Sequence, residues 1–269
     1  MDIREKMIQT LISAKIPSPR LEADRILKSA APQYPNLTEK EYQQIKDMLN
    51  RRCSHEPLDK IIGCREFYKS VFKVSTAVLS PRPDTEILVE SALEILPTER
   101  PQQILDLGTG SGCILLSILQ ERPQIQCIGI DISLAALQIA QQNAQAQDLM
   151  TRVNFINSNW KDLHFKADTF DMIVSNPPYI PQEEIKTLDP EVKDYDPLIA
   201  LDGGTDGLKC YHELAEIIPL WLKTGGHVLL EVGAGQAKTV TDIFRQRGLK
   251  LEAIKQDLAG IERCVIMRK

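Results

Sequence analysis

Four consecutive residues, Asn176-Pro177-Pro178-Tyr179, combine groups that suit the binding of a planar amino group. Carbonyl oxygens can accept hydrogen bonds from such a group, and an aromatic ring can cover its face. The apolar run Phe170–Ser175 before them is typical of a buried parallel strand, which two prolines cannot continue because they have no N–H to donate. The chain therefore leaves the sheet at a strand's carboxyl end, where open α/β sheets bind ligands. Asn-Pro by itself is also an ordinary turn dipeptide.

A glycine-rich turn, Gly108-Thr109-Gly110-Ser111-Gly112, follows the strand-like run Ile104–Leu107 and precedes an apolar, helix-like stretch. Glycines permit positive φ angles and a close approach of the backbone to a ligand. The spacing is GxGxG and not the GxGxxG of dinucleotide binders, because Cys113 occupies the position of the last glycine. The Gly-Lys-Ser/Thr ending of a phosphate-binding P-loop is also missing. The turn is therefore predicted to bind a cofactor that lacks a pyrophosphate.

Asp131 ends the next strand-like run, 23 residues after Gly108. A carboxylate there can accept hydrogen bonds from both hydroxyls of a ribose, and it can also cap the following helix. After the third strand, Trp160 can pack on an adenine ring or simply fill the core, and Asn159 can bond the exocyclic amine. A ribose without a pyrophosphate indicates S-adenosylmethionine as the cofactor.

The elements that must position these residues are strands alternating with helices from Gln103 onward. Such alternation predicts a parallel sheet with helices on both faces. The predicted strands are Ile104–Leu107, Gln126–Ile130, Val153–Ile156, Phe170–Ser175, His227–Val232, Leu251–Ile254 and Cys264–Met267, and the predicted helices are Cys113–Gln120, Leu134–Gln147 and Gly207–Leu222. The stretch from Ile180 to Asp206 has little periodicity, and loops of this length in compact domains are usually functional lids or mobile segments.

The N-terminal part of the chain has the pattern of a small helical domain over residues 1–58. Apolar residues recur at helical spacing before Pro17, Ser18 is expected to cap a helix that starts at Pro19, and Thr38 with Glu41 predicts a capping box. The β-branched and aromatic residues of Ile61-Ile62-Gly63 and Phe67–Val74 then predict a β-hairpin within a linker of residues 59–80. The remaining residues, 81–269, form the predicted main domain.

A proline-stiffened segment, Leu79–Glu86, opens the main domain. Asp84 or Thr85 is predicted to cap the helix that follows through Leu96. Arg82 fits either a solvated surface charge or a ligand contact from a rigid backbone.

Composition sets the class of protein. The chain has 269 residues, 26% charged and 43% hydrophobic, with a net charge of −5, so a general basic footprint for nucleic acid is absent. The six cysteines and four histidines show no CxxC pairing and no metal-ligand spacing, which indicates reduced thiols in a cytosolic protein. Neither a signal-peptide core nor an apolar run of membrane-spanning length is evident. We expect a cytoplasmic protein without a metal site.

Five segments of the chain, taken in order, resemble the signatures of the release factor glutamine N5-methyltransferase family, and together they span nearly the whole sequence. The glycine loop and the Asn-Pro-Pro-Tyr run would fit many methyltransferases, whereas the proline-rich segment and the Gly203-Gly204 stretch make the resemblance specific. The segments are Gly63-Cys64-Arg65-Glu66-Phe67-Tyr68, Pro81-Arg82-Pro83-Asp84-Thr85-Glu86, Asp106-Leu107-Gly108-Thr109-Gly110-Ser111-Gly112, Asn176-Pro177-Pro178-Tyr179 and Ala200-Leu201-Asp202-Gly203-Gly204-Thr205-Asp206-Gly207-Leu208.

The resemblance implies an α/β fold. Its centre is a Rossmann-like, seven-stranded class I methyltransferase sheet of order 3-2-1-4-5-7-6, with the seventh strand antiparallel. A small N-terminal helical domain, joined by a β-hairpin, is implied to recognise the protein substrate. The implied reaction is methylation, from S-adenosylmethionine, of the side-chain amide nitrogen (N5) of the glutamine in the Gly-Gly-Gln motif of class-1 peptide chain release factors.

The resemblance also assigns roles to the site residues. The side-chain oxygen of Asn176 and the carbonyl of Pro177 would accept the two amide hydrogens, Tyr179 would pack on the amide plane, and no general base is evident. Pro178 and Arg82 complete the expected substrate-binding set. The expected cofactor-binding residues are Gly108, Thr109, Gly110, Ser111, Gly112, Asp131, Asn159, Trp160 and Asn176.

We expect a monomer whose partner is a release factor, with no membrane and no direct nucleic-acid binding, and a lid over Ile180–Asp206 that orders when the release factor docks. Two departures from the family pattern are Asn159, where aspartate is usual, and Asp196, where glutamate is usual. An alternative function is an N6-adenine DNA or rRNA amino-group methyltransferase, which predicts a basic face. A cofactor-binding regulatory protein without catalysis is disfavoured by the intact acceptor motif.

Overall fold

The structure is a computed structural model that describes residues 2–269. The chain divides into two compact units. The first unit comprises the chain up to Cys64 together with Asp189–Tyr195, and the second comprises Arg65–Leu188 and Asp196–Lys269. A segment more than a hundred residues downstream in the chain therefore belongs to the helical unit, which no local sequence pattern indicated.

The first unit is built from helices α1 (Ile3–Ser13), α2 (Pro19–Ala30), α3 (Glu39–Cys53) and the short α4 (Leu58–Ile62). Its core contains Leu11, Ile26 and Ile45, each from a different helix. The capping box predicted for α3 is confirmed, because the Thr38 hydroxyl accepts from the Glu41 N–H while the Glu41 carboxylate accepts from the Thr38 N–H.

Two local predictions for this part of the chain are confirmed only in part. Ser18 occupies the N-cap position of α2 and Pro19 is the first helical residue, as predicted, but the backbone of Ser18 is left-handed (φ 54°) and its side chain makes no capping hydrogen bond. Ile61 and Ile62 lie in helix α4, which ends at the left-handed Gly63 (φ 84°). The hairpin starts after that glycine, with β1 (Cys64–Phe67) and β2 (Ser70–Lys73). The β-branched residues favour a strand, but the glycine that follows them is typical of the end of a helix.

An ion cluster in the first unit holds the distant segment to the helices. The Arg52 side chain is only 2% exposed and donates to Glu22 Oε2 at 2.5 Å and to Glu191 Oε1 at 2.6 Å. Glu191 lies in helix α9 (Pro190–Lys193). In the same unit, Lys60 Nζ donates to the Tyr195 carbonyl at 2.8 Å. A buried guanidinium with two carboxylate partners therefore connects α2 and α3 to residues that arrive much later in the chain.

The second unit is organised around a seven-stranded sheet of order β5-β4-β3-β6-β7-β9-β8. Numbered by their order within the sheet, the strands follow 3-2-1-4-5-7-6, and β9 pairs antiparallel with both neighbours, so the predicted class I methyltransferase topology is confirmed. The strands are β3 (Gln102–Leu107), β4 (Ile125–Asp131), β5 (Val153–Asn157), β6 (Phe170–Ser175), β7 (Leu222–Glu231), β8 (Lys250–Gln256) and β9 (Glu262–Arg268).

Helices cover both faces of this sheet. In β3, Ile104 joins one buried cluster and its neighbour Leu105 joins the other, as expected when successive side chains point to opposite faces. Within residues 2–269, every helix is too short or too polar to cross a lipid bilayer. The helices are α5 (Glu86–Ile95), α6 (Cys113–Glu121) and α7 (Leu134–Ala146) before β6, and α8 (Gln182–Ile185), α10 (Lys209–Trp221) and α11 (Ala237–Arg245) after it.

The stretch after β6, expected to be a lid, forms several short elements. After α8 and α9, a 3₁₀ turn at Leu198–Ala200 follows. The beginning and the end of the whole stretch are paired, because Ile180 forms an isolated β-bridge with Asp202. The ordering of this stretch by a substrate stays a prediction.

Removing the charge of Arg52 should destabilise the first unit. In Arg52→Met, Glu22 and Glu191 would keep their partly buried positions without a counter-charge, a change that typically costs about 3–5 kcal/mol. Hydrogen–deuterium exchange of peptides from α2 and α3 should be markedly faster. Arg4→Met is the matched control, since Arg4 pairs with Asp24 at the exposed surface and such pairs contribute little. Equal protection in the two variants would contradict the assigned role of the buried cluster.

Candidate active site

A cavity of about 300 Å³ lies at the carboxyl ends of the central strands, entirely within the second unit. Gly112, Pro177 and Tyr179 lie beside lining residues in the chain but do not themselves line it. The structure thus brings most of the predicted site residues together. Those that line the cavity are Arg82, Gly108, Thr109, Gly110, Ser111, Asp131, Asn159, Trp160, Asn176 and Pro178.

The glycine loop turns tightly because three of its residues have positive φ. Gly108, Gly110 and Gly112 have φ of 78°, 54° and 78°, values that L side chains rarely adopt. A Cβ placed on Gly110 would meet no protein atom within 4 Å. Backbone is therefore exposed to open space at Gly110, and a ligand in the cavity can approach it closely.

Buried polar side chains hold this loop from beneath. The Thr109 hydroxyl donates to Asp106 Oδ2 at 2.6 Å, and burial raises the pKa of Asp106 to about 7. The Asn143 amide, on α7, donates to the Ser111 carbonyl at 2.9 Å and to the Lys73 carbonyl at 3.1 Å. The loop is thus tied to strand β3, to helix α7 and to the end of the hairpin.

Asp131 holds the loop from the side of the neighbouring strand. Its Oδ2 accepts from the Gly110 N–H at 2.8 Å, and its Oδ1 accepts from the Ser133 N–H at 2.9 Å. Burial raises the pKa of Asp131, and these two backbone hydrogen bonds oppose the rise. The cap of α7 is Ser133, whose hydroxyl accepts from the Ala136 N–H. Asp131 is therefore not the helix cap, and ribose binding stays its predicted role.

Asn159 and Trp160 line the cavity just after strand β5. The Asn159 side chain accepts from the Lys161 N–H at 3.0 Å, and Trp160 Nε1 donates to Glu213 Oε2 at 3.1 Å. The indole approaches the loop so closely that a Cβ on Gly108 would lie 3.8 Å from it. Trp160 also packs against the buried cluster of that sheet face. The two roles proposed for this ring, adenine contact and core filling, are geometrically compatible.

The Asn-Pro-Pro-Tyr run begins where β6 ends, as the sequence predicted. Ser175, the last residue of β6, is buried and donates to the Leu107 carbonyl of β3 at 2.6 Å. Asn176 then lines the cavity, and its Nδ2 donates to Thr85 Oγ1 at 3.4 Å. With the amide nitrogen directed to Thr85, the amide oxygen is the atom that Asn176 offers to a ligand as an acceptor.

The backbone of Tyr179 is clamped by the glycine-rich stretch that the family resemblance singled out. A Cβ on Gly203 would lie 2.8 Å from the Cα and carbonyl carbon of Tyr179, and a Cβ on Gly207 would overlap the Tyr179 carbonyl oxygen. That oxygen accepts from Gln236 Nε2 at 3.0 Å. The Gly203 N–H in turn donates to the Ile180 carbonyl at 2.9 Å. Only glycines allow the two segments to approach this closely.

The position of Arg82 fits both alternatives that the sequence left open. It lines the cavity, its side chain is 39% exposed, and its guanidinium is 3.7 Å from the buried carboxylate of Asp196. Asp196 is one of the two departures from the family pattern. The shorter aspartate side chain therefore still reaches an ion pair with Arg82.

Two residues at this edge were not recognised as site residues from the sequence. Asp84 or Thr85 was predicted to cap α5, and Thr85 occupies the N-cap position. Because Pro83–Thr85 form a 3₁₀ turn, Thr85 already has a helical backbone (φ −71°, ψ −18°), and its side chain makes no capping hydrogen bond. Glu231 ends β7, is 2% exposed, and has a pKa that burial raises to about 7. Its position at the end of the strand next to β6 was the signal available in the sequence.

Known proteins resemble the chain over most of its length. A family profile described as a methyltransferase domain matches residues 99–231. A release factor glutamine methyltransferase of Caulobacter vibrioides is 40% identical over 95% of this chain and 91% of its own length. One from Rhodospirillum rubrum is 44% identical over 87% of this chain and 71% of its own length.

The chain belongs to the release factor glutamine methyltransferase family. A crystal structure of a protein-(glutamine-N5) methyltransferase (release factor-specific) from Alicyclobacillus acidocaldarius is 31% identical, covering 74% of this chain and 99% of that one, with a TM-score of 0.44. Membership of the family confirms the resemblance carried by the five sequence segments, and residues 99–231 match a methyltransferase domain.

Adding a single methyl group at Gly203 should disturb the clamp on Tyr179. Gly203 does not have positive φ, so alanine fits its backbone and any loss reports the close contact alone. We expect Gly203→Ala to lower the free energy of unfolding by about 1–3 kcal/mol, as overpacking typically does. Urea unfolding followed by fluorescence reports on this unit, which contains both tryptophans, Trp160 and Trp221. An unchanged midpoint would show that the two segments do not press on each other.

Proposed function

We propose that this chain transfers a methyl group from S-adenosylmethionine to the side-chain amide nitrogen (N5) of the glutamine in the Gly-Gly-Gln motif of class-1 peptide chain release factors. The observation that carries the proposal is the position of Asn176. Its amide oxygen is available as an acceptor in the same cavity that the glycine loop and Asp131 line. The names of the similar proteins supply the substrate class.

The residues of the cavity fit the proposed cofactor. Gly110 leaves open space where a side chain would stand, Asp131 presents a half-buried carboxylate at the end of β4, and Trp160 offers an aromatic surface beside the loop. Asn159 supplies a neutral amide in place of the carboxylate usual at its position. Bound there, S-adenosylmethionine would supply an electrophilic methyl group on its sulfonium.

The protein's task in this reaction is chiefly to position the target nitrogen. An amide nitrogen is a poor nucleophile because its lone pair is delocalised into the carbonyl. Asn176 Oδ1 and the Pro177 carbonyl would accept its two hydrogens, and Tyr179 would pack on the amide plane. Holding two reactants in line lowers a barrier by as much as about 7–11 kcal/mol in well-oriented cases. Positive charge that develops on the nitrogen strengthens both hydrogen bonds in the transition state.

The protein substrate would be recognised outside the cavity. We assign this role to the N-terminal helical region, residues 1–58, with Arg82 contacting the substrate at the cavity and the Ile180–Asp206 stretch ordering when the release factor docks. A substrate that acts in translation also places the proposed reaction in the cytoplasm. Charge supports a protein substrate and not a nucleic acid, because the chain is acidic overall, with a net charge of −5.

A valine at Gly110 should abolish cofactor binding without unfolding the protein. Its side chain would occupy the open space beside the loop, and calorimetric titration with S-adenosylmethionine should show no measurable binding. Gly248→Val is the matched control, because Gly248 also has positive φ (89°) and open space around its Cβ but lies outside the cavity. Both variants carry the same kind of backbone strain. A dissociation constant within threefold of the parent's in Gly110→Val would contradict the cofactor assignment.

Replacing Asn176 by alanine should slow the chemical step. The variant loses an acceptor that bonds most strongly as charge develops, and removing one such preorganised partner typically costs on the order of 10²–10³ in rate. Single-turnover transfer of labelled methyl, with saturating cofactor and purified release factor, measures this directly. Asn176→Asp keeps an acceptor but loses the donor to Thr85, so it should also fail. Parallel incubations of the parent protein with DNA and with rRNA test the alternative function.

A rate for Asn176→Ala within threefold of the parent's would overturn the proposed mechanism. Methyl transfer to DNA or rRNA, with none to the release factor, would overturn the proposed substrate. Normal affinity of Asn176→Ala for the release factor, together with a large loss of rate, is the expected result.

A further inference from the structure

Glu231 is a buried carboxylate that the proposed reaction does not use directly. It ends β7, the strand beside β6, and is 2% exposed. Its Oε2 has no hydrogen-bond partner among the residues that the structure describes. An unpartnered carboxylate oxygen in a protein interior is costly, so its retention at the edge of a site calls for a function.

A chain of polar contacts through Thr85 connects this carboxylate to Asn176. Asn176 Nδ2 directs a hydrogen to Thr85 Oγ1 across 3.4 Å. A hydroxyl that accepts one hydrogen bond still has its own hydrogen to donate. Burial raises the pKa of Glu231 to about 7, and the Thr85 hydroxyl, as a donor to that carboxylate, opposes the rise. The buried Thr85 makes no helix cap, which leaves this hydroxyl free for the site.

A second contact connects the Glu231 carboxylate to Tyr179, the last residue of the Asn-Pro-Pro-Tyr run. The Tyr179 hydroxyl is a donor to Glu231 Oε1 at 3.4 Å. The main chain of Tyr179 is fixed separately, by Gln236 and the glycine clamp, so this contact positions the ring in particular. One carboxylate is thus connected both to Asn176, the proposed acceptor, and to Tyr179, whose ring is proposed to cover the substrate amide.

We propose that Glu231 and Thr85 are positioning residues that fix the Asn176 amide with its oxygen available to the substrate, and that Glu231 also fixes the Tyr179 ring. The chain of donors runs from Asn176 Nδ2–H to Thr85, and from the Thr85 hydroxyl to Glu231. A carboxylate can only accept, so it sets the direction of every bond in the chain. Were the Asn176 amide turned over, two acceptors would face each other at Thr85 or the hydroxyl would lose its bond to Glu231.

The lengths of the two contacts are consistent with this role. Each is 3.4 Å, longer than the 2.7–3.2 Å of an ordinary N–H···O bond, as from Asn176, or the 2.5–3.0 Å of an O–H···O bond, as from Tyr179. Hydrogen bonds of active sites are often long before the substrate is bound and tighten in the reacting complex. The Glu231 carboxylate also has charged neighbours. Arg82 and Arg263 favour its ionised form, and Asp84 disfavours it.

The test removes the Thr85 hydroxyl without changing the shape of the side chain. The inference rests on the proposed function, so the assay is steady-state methyl transfer to purified release factor, which yields both kcat and KM. Thr85→Val should lower kcat by roughly tenfold, the effect expected when an outer residue no longer orients a site residue, with KM within twofold of the parent's. Thr85→Ser restores the hydroxyl and should bring kcat back to within threefold. Loss without recovery in the serine variant would overturn the proposal, since restoring the hydroxyl would then not restore the rate.

A matched control is available in the same unit. Thr241 is also a buried threonine, its hydroxyl has no hydrogen-bond partner within the described part of the chain, and it does not line the cavity. Thr241→Val should leave kcat unchanged, so an equal loss there and in Thr85→Val would overturn the assignment. Glu231→Gln should also lower kcat. The double variant with Thr85→Val should be no slower than the slower single variant, and multiplied losses would contradict a shared pathway.

A second measurement does not depend on methyl transfer. In ¹⁵N-labelled protein, the side-chain NH₂ resonances of Asn176 can be assigned from their absence in Asn176→Ala. They should shift in Thr85→Val and Glu231→Gln and stay unchanged in Thr241→Val. Unshifted resonances would overturn the positioning role even if the enzyme proved to have another substrate. A rate loss in Asn176→Ala with none in Thr85→Val would refute this inference alone, whereas parent-like rates in both would refute the proposed function.

Discussion

Parallel pairing of the central strands is the constraint on which the site depends. Strands β4, β3, β6 and β7 are parallel neighbours, so their carboxyl ends meet at one edge. Asp131, the glycine loop, Asn176 and Glu231 each follow or end one of these strands, and they come together for that reason. The prolines after Asn176 make the exit from β6 obligatory, because they cannot donate to a neighbouring strand. The relative positions of the site residues are therefore determined first by the pairing of the strands and only then by the loops.

Burial of polar groups at this edge gives the site its rigidity. Asp106 and Glu231 are both nearly inaccessible, and burial raises the pKa of each to about 7. Asp131 is held by two backbone N–H groups, and Asn143 connects the glycine loop to the hairpin. Removing such groups from water is unfavourable unless partners replace the lost hydrogen bonds. The network keeps the loop and the Asn-Pro-Pro-Tyr run in fixed positions where side-chain packing alone would allow variation.

Sequence patterns predicted the alternation of strands and helices and a site at the carboxyl ends of the strands, and most of the predicted site residues line the cavity. Those predictions rest on local chemistry: positive φ at glycines, missing N–H groups at prolines, and alternation of strands and helices. The strand order was implied by the family resemblance and not by these patterns. Helix α11 was not predicted, because Thr239, Val240 and Thr241 have low helix propensity, although the buried residues Val240 and Phe244 recur at helical spacing. The contact of Thr85 with Asn176 could not be predicted, because the two residues are 91 positions apart in the chain. Glu231 was missed for the same reason, and so was the attachment of Asp189–Tyr195 to the helical unit, since both depend on contacts between distant parts of the chain.

The glycine clamp on Tyr179 has a consequence for how this protein can diverge. A new side chain that collides with another side chain can be tolerated once a second mutation shortens the obstacle. At Gly203 and Gly207 the obstacle is the main chain of Tyr179, which every amino acid carries, so no substitution at position 179 can create room. Gly233 differs, because the atoms nearest its Cβ belong to the side chains of Gln236 and Tyr179. Lineages that explore new specificities should therefore be able to change position 233 together with its neighbours, while positions 203 and 207 remain glycine whatever else is altered.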